Sequence, residues 1–407
     1  MPGMEPLRLK VSDRLKAIMG YRKFAGAVPR MLVLQGRYWL DEACVRAANS
    51  LGWQVAEAPI CMEGALPRAD ISRLFYTLAE FRPDFVLSVN LSGMDEDGVF
   101  ARFFEDLALP CVTWFVDDPR TIMMGRTCYT HPYAVAFTWD AAYTDYLHAC
   151  GFMAVHTLPL AADPALFNAP PSAANADHLP PAFVGNSMRE PAAREWAWIA
   201  ARPAVAQSVR DAFAAGRVDR RRFGEGLAAM LGADATAGFD AHERRHAEIY
   251  CFVEGTRRRR HALLAGLADV NVLARGDAGW REVTPHTGPP VNYTHELPDF
   301  YRDCAVNLNT TSIQMPHTVN QRVFDCPAAG GFLLTDNQAD LAALFDMERE
   351  VATFHDLADC REKLAHYLAE PGLRREMAAR ARARVLGEHT YAHRLQQIAG
   401  LLRARYG

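Results

Sequence analysis

An α/β chain of two Rossmann-like, parallel-sheet domains is the fold class this sequence predicts, and three observations predict it. Short apolar, β-branched and aromatic runs alternate with stretches of helical period; the alternation occurs in two separate series; and 407 residues exceed what one hydrophobic core usually supports. Strands buried on both faces read as continuous apolar runs, and the crossovers between parallel strands need helices.

The first series contains Met31–Leu34, Trp53–Ala56, Asp84–Val89, Cys111–Val116, Ala134–Trp139 and His156–Leu158, separated by helical stretches near 41–52, 70–82, 97–108 and 141–150. From about 160 to 182 the chain is rich in Pro, Ala and Asn without a sustained apolar period, which suits a linker. The second series begins at Ala182–Gly185 and resumes at Val270–Leu273, Ala305–Leu308 and Gly331–Thr335, with Val351–Phe354 as an edge strand. The expected division is therefore 1–165, a linker over 166–181, and 182–389 with a helical insertion at about 195–266. Helical segments near 356–369, 371–386 and 390–405 follow, and the final one, 390–407, is expected to return to the first domain. An amphipathic basic helix is expected from Leu9 to Phe24.

Half of the residues are hydrophobic and the formal net charge is −4, an ordinary globular balance with no built-in attraction to nucleic acid. Nine cysteines lie scattered without a CxxC pair and read as reduced core residues. The N-terminus lacks the pattern of a signal peptide, and no apolar run reaches the ~18 residues of a membrane span. The expectation is a cytoplasmic protein with no transmembrane segment, compatible with a homo-oligomer.

The most informative stretch is Asn307-Leu308-Asn309 followed by Asn320-Gln321-Arg322-Val323-Phe324-Asp325-Cys326-Pro327-Ala328-Ala329-Gly330-Gly331-Phe332-Leu333-Leu334-Thr335-Asp336. It resembles the C-terminal domain of the CgeB-like (spore maturation) glycosyltransferases: an Arg, an aromatic and an acidic residue, a turn of small residues, a Gly pair and a strand ending in Thr-Asp. Trp114-Phe115-Val116-Asp117-Asp118-Pro119, Leu158 to Pro164, and Glu388 to Arg394 are similar to the same family in the same order. The resemblance covers most of 30–190 and 268–405. It implies the GT-B architecture, two such domains across a cleft, and transfer of a sugar from a nucleotide-diphosphate sugar to a glycan, protein or small-molecule acceptor. It does not require a divalent metal or another cofactor.

A strand running through a loop into a helix at 307–329 offers backbone N–H groups and the positive helix end to a diphosphate. Arg322 adds a charge-assisted contact, and Asp325, one turn on, is placed to accept from two ribose hydroxyls. Asp325 resembles the second Glu of the Glu-x7-Glu motif of retaining GT-B enzymes; His317 occupies the first position. The other reading makes Arg322 and Asp325 a surface ion pair and Gly330-Gly331 a helix stop. Gly185, Asn186 and Arg189 follow the first strand of the second domain, where a Gly admits close approach of a phosphate. Gly276, His295 and Glu296 resemble the family's base-binding wall, with a helix N-cap as the alternative for the last two. Asn309 and Asn320 flank the loop before Arg322 and complete the expected nucleotide-sugar site.

In the first domain, Asp117 and Asp118 end an apolar strand, the edge at which α/β sheets keep ligands, and either is a candidate general base toward an acceptor hydroxyl. An Asp-Asp-Pro turn capping the next helix is the competing reading. Gly36 and Arg37 occupy the equivalent loop after the first strand, on the acceptor side. His242-Glu243-Arg244-Arg245-His246 matches H-E-x-x-H, but its charged surroundings argue against zinc. The arginine runs 217–222 and 257–260 read as solvated faces, since no aromatic spacing supports a nucleic-acid partner. A nucleotide-sugar binder that keeps the fold without turnover is the alternative function.

Overall fold

The computed structural model describes all residues except 1–8, 37, 60–67 and 169–177. Arg37, Cys61 and most of the expected linker therefore lie outside the described residues. The chain forms two compact units, one of Met1–Pro159 with Tyr391–Gly407 and one of Leu160–Thr390.

The first unit is built on six parallel strands: β1 (Arg30–Gln35), β2 (Gln54–Pro59), β3 (Phe85–Val89), β4 (Cys111–Phe115), β5 (Ala134–Thr138) and β6 (Ala154–Thr157), in the order β2-β1-β3-β4-β5-β6. Every residue of β3, β4 and β5 is buried, as parallel strands covered on both faces must be. Phe100, Phe103 and Phe104 of the Val99–Asp106 helix pack into the same core. The final helix, Tyr391–Tyr406, belongs to this unit. Its Tyr391 ring meets Trp39 and Trp114, and Arg403 Nη2 donates to the carbonyls of Gly26 and Ala27 at 3.0 and 2.9 Å. The N-terminal helix is shorter than expected, Asp13–Met19. Ser12 caps it and Gly20 ends it, and Phe24 takes a left-handed φ of 54° that no helix accommodates.

The second unit has β7 (Ala182–Val184), β8 (Leu273–Arg275), β9 (Thr287–Gly288), β10 (Asn307–Asn309), β11 (Leu333–Asp336) and β12 (Ala352–Phe354), also parallel, in the order β12-β11-β10-β7-β8-β9. The strand expected at Val270 starts only at Leu273: Ala268–Val270 is a 3-10 turn and Asn271 is left-handed at φ 58°. Helices fill the 189–266 stretch and close over a core of their own containing Ile199, Val209, Phe223, Met230 and Ile313. The longest of them, Ala241–Gly266, starts at a capping box in which Glu243 N donates to Asp240 Oδ1 and Asp240 N to Glu243 Oε2. That box takes the Glu of the H-E-x-x-H sequence. His246 Nδ1 lies 2.7 Å from Glu195 Oε2 with its ring stacked on Trp198, while His242 is exposed, so the three side chains serve different structural ends.

Among the described residues no helix is long and apolar enough to cross a membrane. The described cysteines are free thiols, all buried except half-buried Cys128.

Candidate functional site

Strand order reverses between β1 and β3 in the first sheet and between β7 and β10 in the second. At such a reversal the crossover helices leave to opposite faces and open a crevice at the carboxyl ends of the strands, where α/β folds bind ligands. Each unit places a polar cluster at its own reversal.

In the second unit the cluster is built around Arg322, the first residue of the Arg322–Ala329 helix. Asn309, at the end of β10, and Asn320 pair their amides reciprocally at 3.1 and 3.0 Å, and Asn309 Nδ2 also donates to Thr335 Oγ1 at 2.9 Å. Asn309 Oδ1 then accepts from Arg322 Nη1 at 3.2 Å. The guanidinium lies over the Phe183 ring and against Gly185, where a Cβ would come within 2.6 Å of Nη2. A side chain at 185 would push this guanidinium from its place. Arg322 is half-buried, and among the described residues no carboxylate forms an ion pair with it. Burial lowers its pKa. The alternative reading, a surface ion pair of Arg322 with Asp325, is absent from the described contacts.

Asp325 has a different setting. It is 1% exposed, and its two oxygens accept from Tyr293 Oη at 2.9 Å and Gln321 Nε2 at 2.7 Å. Burial pushes its carboxyl up to about 8, against the hydrogen bonds from Gln321 and Tyr293. In this conformation the groups presented at that corner are the Tyr293 phenol and the Gln321 amide, with the carboxylate behind them. Gly330, left-handed at φ 91°, ends the helix.

The loops after β7 and β8 close the other side. Asp277 Oδ2 accepts from Ser187 N at 2.6 Å and Oδ1 from Gly279 N at 2.9 Å; burial works to raise its pKa, but the hydrogen bonds from Ser187 hold it below the usual carboxylate range. Trp280 Nε1 donates to the Gly185 carbonyl at 2.8 Å, and Gly276 lies so near that carbonyl that a Cβ would collide with it. Exposed Asn186 uses its side chain to accept from Met188 N, and Arg189 turns away to an ion pair with Glu282. His295 and Glu296 are exposed. Asn292 Oδ1 accepts from His295 N, and Glu296 Oε2 accepts from Asn292 N, so both belong to the turn preceding the Leu297–Asp303 helix. His317 is exposed on the loop between β10 and the Arg322 helix.

The arginine runs are not simply solvated faces. Arg220 and Arg259 both reach Asp336, at the end of β11, which also accepts from Thr311 N at 2.8 Å. Arg257 and Arg258 pair with Glu254. Arg260 is buried, donating from Nη1 to the Asn186 carbonyl at 2.6 Å. The helical phase was the available signal: Arg260 stands four residues from both Thr256 and Leu264, on the buried side of the helix.

In the first unit the cluster gathers Gly36, Tyr38, Asn90 and Asp117. Asn90 and Leu91 follow β3 with consecutive left-handed φ values of 51° and 60°. This turn lets Asn90 Oδ1 accept from Val116 N and Nδ2 donate to Asp117 Oδ2, both at 2.8 Å. Tyr38 Oη donates to the same carboxylate oxygen at 3.4 Å. A Cβ on Gly36 would sit 2.2 Å from Ser92 Cβ, so glycine is required for the loops after β1 and β3 to touch. Asp117 is half-buried, whereas Asp118 is fully buried, accepts from Arg120 N at 2.9 Å as a helix N-cap and pairs with the Arg120 guanidinium at 2.7 Å. Neither Tyr38 nor Asn90 had been singled out from the sequence.

Residues 252–400 match the family model described as glycosyl transferase-like. No curated protein matches the sequence. Among solved structures, sucrose-phosphate synthase from Thermosynechococcus elongatus superposes with a TM-score of 0.54 at 11% identity, over 93% of this chain and 99% of that one. HepE from Anabaena, in complex with UDP, gives 0.52 at 11% identity, over 93% and 100%. The T4 phage BGT structure with its UDP-glucose substrate gives 0.52 at 9% identity, over 92% and 99%. At these identities the likeness shows the fold, which is GT-B. With the family match over its C-terminal part, it marks the chain as a glycosyltransferase.

Proposed function

We propose that this glycosyltransferase takes a hexosyl group from a nucleotide-diphosphate sugar bound at the β7/β10 reversal, and that Arg322 is the principal ligand of the diphosphate. The observation that carries the reading is a half-buried arginine fixed by the Asn309–Asn320 pair, lying against Gly185 and lacking a carboxylate partner among the described residues. Such a guanidinium favours the oxyanion that forms as the sugar leaves, so departure needs no divalent metal. The HepE structure is a complex with UDP and that of T4 phage BGT a complex with UDP-glucose, which makes UDP-sugars the first donors to test.

Asp117, half-buried and oriented by Asn90 and Tyr38, is the base toward the acceptor hydroxyl. The hydroxyl proton passes to its carboxylate as the glycosidic C–O bond forms and the bond to the diphosphate oxygen breaks. Asp118, committed to its cap and to Arg120, has no part in this step. The likeness to the CgeB-like family, from Asn307 to Asp336, supports an enzyme whose acceptor is a glycan, a protein or a small molecule, with Gly36 beside it, and a cytoplasmic location fits the sequence's lack of a signal-peptide pattern. Assembly as a homo-oligomer is compatible with this reading. His317, where the Glu-x7-Glu motif of retaining GT-B enzymes carries a carboxylate, favours one rival: a nucleotide-sugar binder without turnover.

Phosphorus NMR of the protein incubated with UDP-, GDP-, ADP-, CDP- and TDP-sugars separates the two. Release of a nucleoside diphosphate from one donor, with water as the slow acceptor and with EDTA present, is the expected result. Binding of a donor that stays intact would establish the binder instead.

A further inference from the structure

Arg260 occupies a position that general electrostatics disfavours. It is 4% exposed, its Nη1 bonds only a backbone carbonyl, that of Asn186, and its Nε is buried without an acceptor. Buried charges are normally paired, because removing an ion from water costs more than a neutral hydrogen bond returns. Its neighbour Arg259 obeys that rule through Asp336, and Arg257 and Arg258 do so through Glu254.

Beside Arg260 lies a second guanidinium without an ion pair. Arg260 and Arg322 sit 5.8 and 5.7 Å from the centroid of the same Phe183 ring. Burial, and then the charge of Arg322, push the Arg260 pKa down to about 9. The carboxylates whose charge reaches Arg260 are engaged elsewhere: Asp336 by Thr311, Arg220 and Arg259, and Asp277 by Ser187 and Gly279. Two like charges thus stand beside Gly185 at the strand reversal, and among the described residues no carboxylate forms an ion pair with either.

We infer that Arg260 and Arg322 form a paired-arginine site for a diphosphate, with Arg260 supplying the second positive charge from the long helix and fixing the Gly185–Met188 loop through the Asn186 carbonyl. The inference deepens the donor-site reading and rests on it for the identity of the ligand, though not for the existence of an anion site. It also gives the Ala241–Gly266 helix a role in donor binding.

Calorimetric titration of the full chain with pyrophosphate and with UDP, at several salt concentrations, tests it. Arg260→Met should weaken both by about tenfold or more and flatten the salt dependence, while Arg260→Lys retains most of the affinity and Arg258→Met matches the wild type. Wild-type affinity and salt dependence in Arg260→Met would overturn the paired site while leaving the donor reading intact. Pyrophosphate binding that depends on Arg260, with no nucleotide bound, would keep the site and overturn the donor reading. Should Arg260→Met fail to fold, Arg322→Gln decides. With one of two repelling cations gone, its melting temperature in low salt should equal or exceed the wild type, and pyrophosphate should no longer raise it. A lower melting temperature that pyrophosphate still raises would overturn the pair.

Discussion

At the strand reversal of the first unit the chain presents a carboxylate, Asp117, held by an amide and a phenol; at that of the second it presents a guanidinium, Arg322, held by the Asn309 amide, which Asn320 braces. Both clusters use the same device. A glycine after the first strand of the crevice leaves room for a neighbour, the Ser92 loop at Gly36 and the Arg322 guanidinium at Gly185, and an asparagine side chain at a strand end aims the charged group. The sign of the charge is what differs. A carboxylate suits removal of a proton from a neutral acceptor, and a guanidinium suits a diphosphate, so in the proposed reaction each sheet would contribute the residue it aims.

That division can be broken from either side. The largest effect is expected from Asp117→Asn, which should lower transfer by about 10²–10⁴-fold, the usual contribution of a general base, with nucleotide affinity unchanged. A comparable loss of nucleotide binding would erase the distinction between the clusters. Arg322→Ala should do the opposite, reducing nucleoside diphosphate affinity by roughly 10- to 100-fold in a calorimetric titration, the worth of a hydrogen bond to a charged group.

Asp325 sharpens the contrast, because it is a carboxylate in the cationic unit whose burial raises its pKa from 3.8 to about 8. Between those values the unfolded chain has released the proton and the folded chain keeps it. The stability owed to this group therefore falls as pH rises from about 4 to about 8, and is level outside that window. Melting curves of Asp325→Asn across this range should lose that slope relative to the wild type; parallel curves would show that Asp325 is ionised in the fold. The smaller change Gly185→Ala should cost under about 1 kcal/mol of stability, because the Arg322 guanidinium its Cβ meets can shift, and should weaken the nucleotide only several-fold. EDTA should leave turnover unchanged, and strict dependence on Mg²⁺ or Mn²⁺ would contradict the assignment of leaving-group stabilisation to arginine.

Eleven of the twelve strands lie at or within a few residues of apolar runs visible in the sequence, because parallel strands covered on both faces must be apolar throughout. The exception, β9, has two residues and leaves no periodic trace. The β8 start was misplaced because Asn271 adopts a left-handed turn inside an apolar run. Site residues were legible where strand ends and glycines mark loops: Gly36, Asp117, Gly185, Asn309 and Arg322 fall at the two reversals. Tyr38 and Asn90 were not, since a lone tyrosine or asparagine after a strand carries no pattern, and the contact depends on a turn that backbone sterics disfavour outside glycine and asparagine. Arg260 was hidden by its run, because four consecutive arginines look alike until the helical phase separates the buried one from the rest.

The measurement that bears most directly on the central claim is the thermal shift of the wild type and of Arg322→Ala with millimolar UDP, GDP, ADP, CDP and TDP, since a ligand bound only by the native state raises stability in proportion to RT ln(1 + [L]/Kd). The account predicts a clear shift with at least one nucleoside diphosphate in the wild type and little or none in the variant. No shift with any of them, or an equal shift in both proteins, would contradict it.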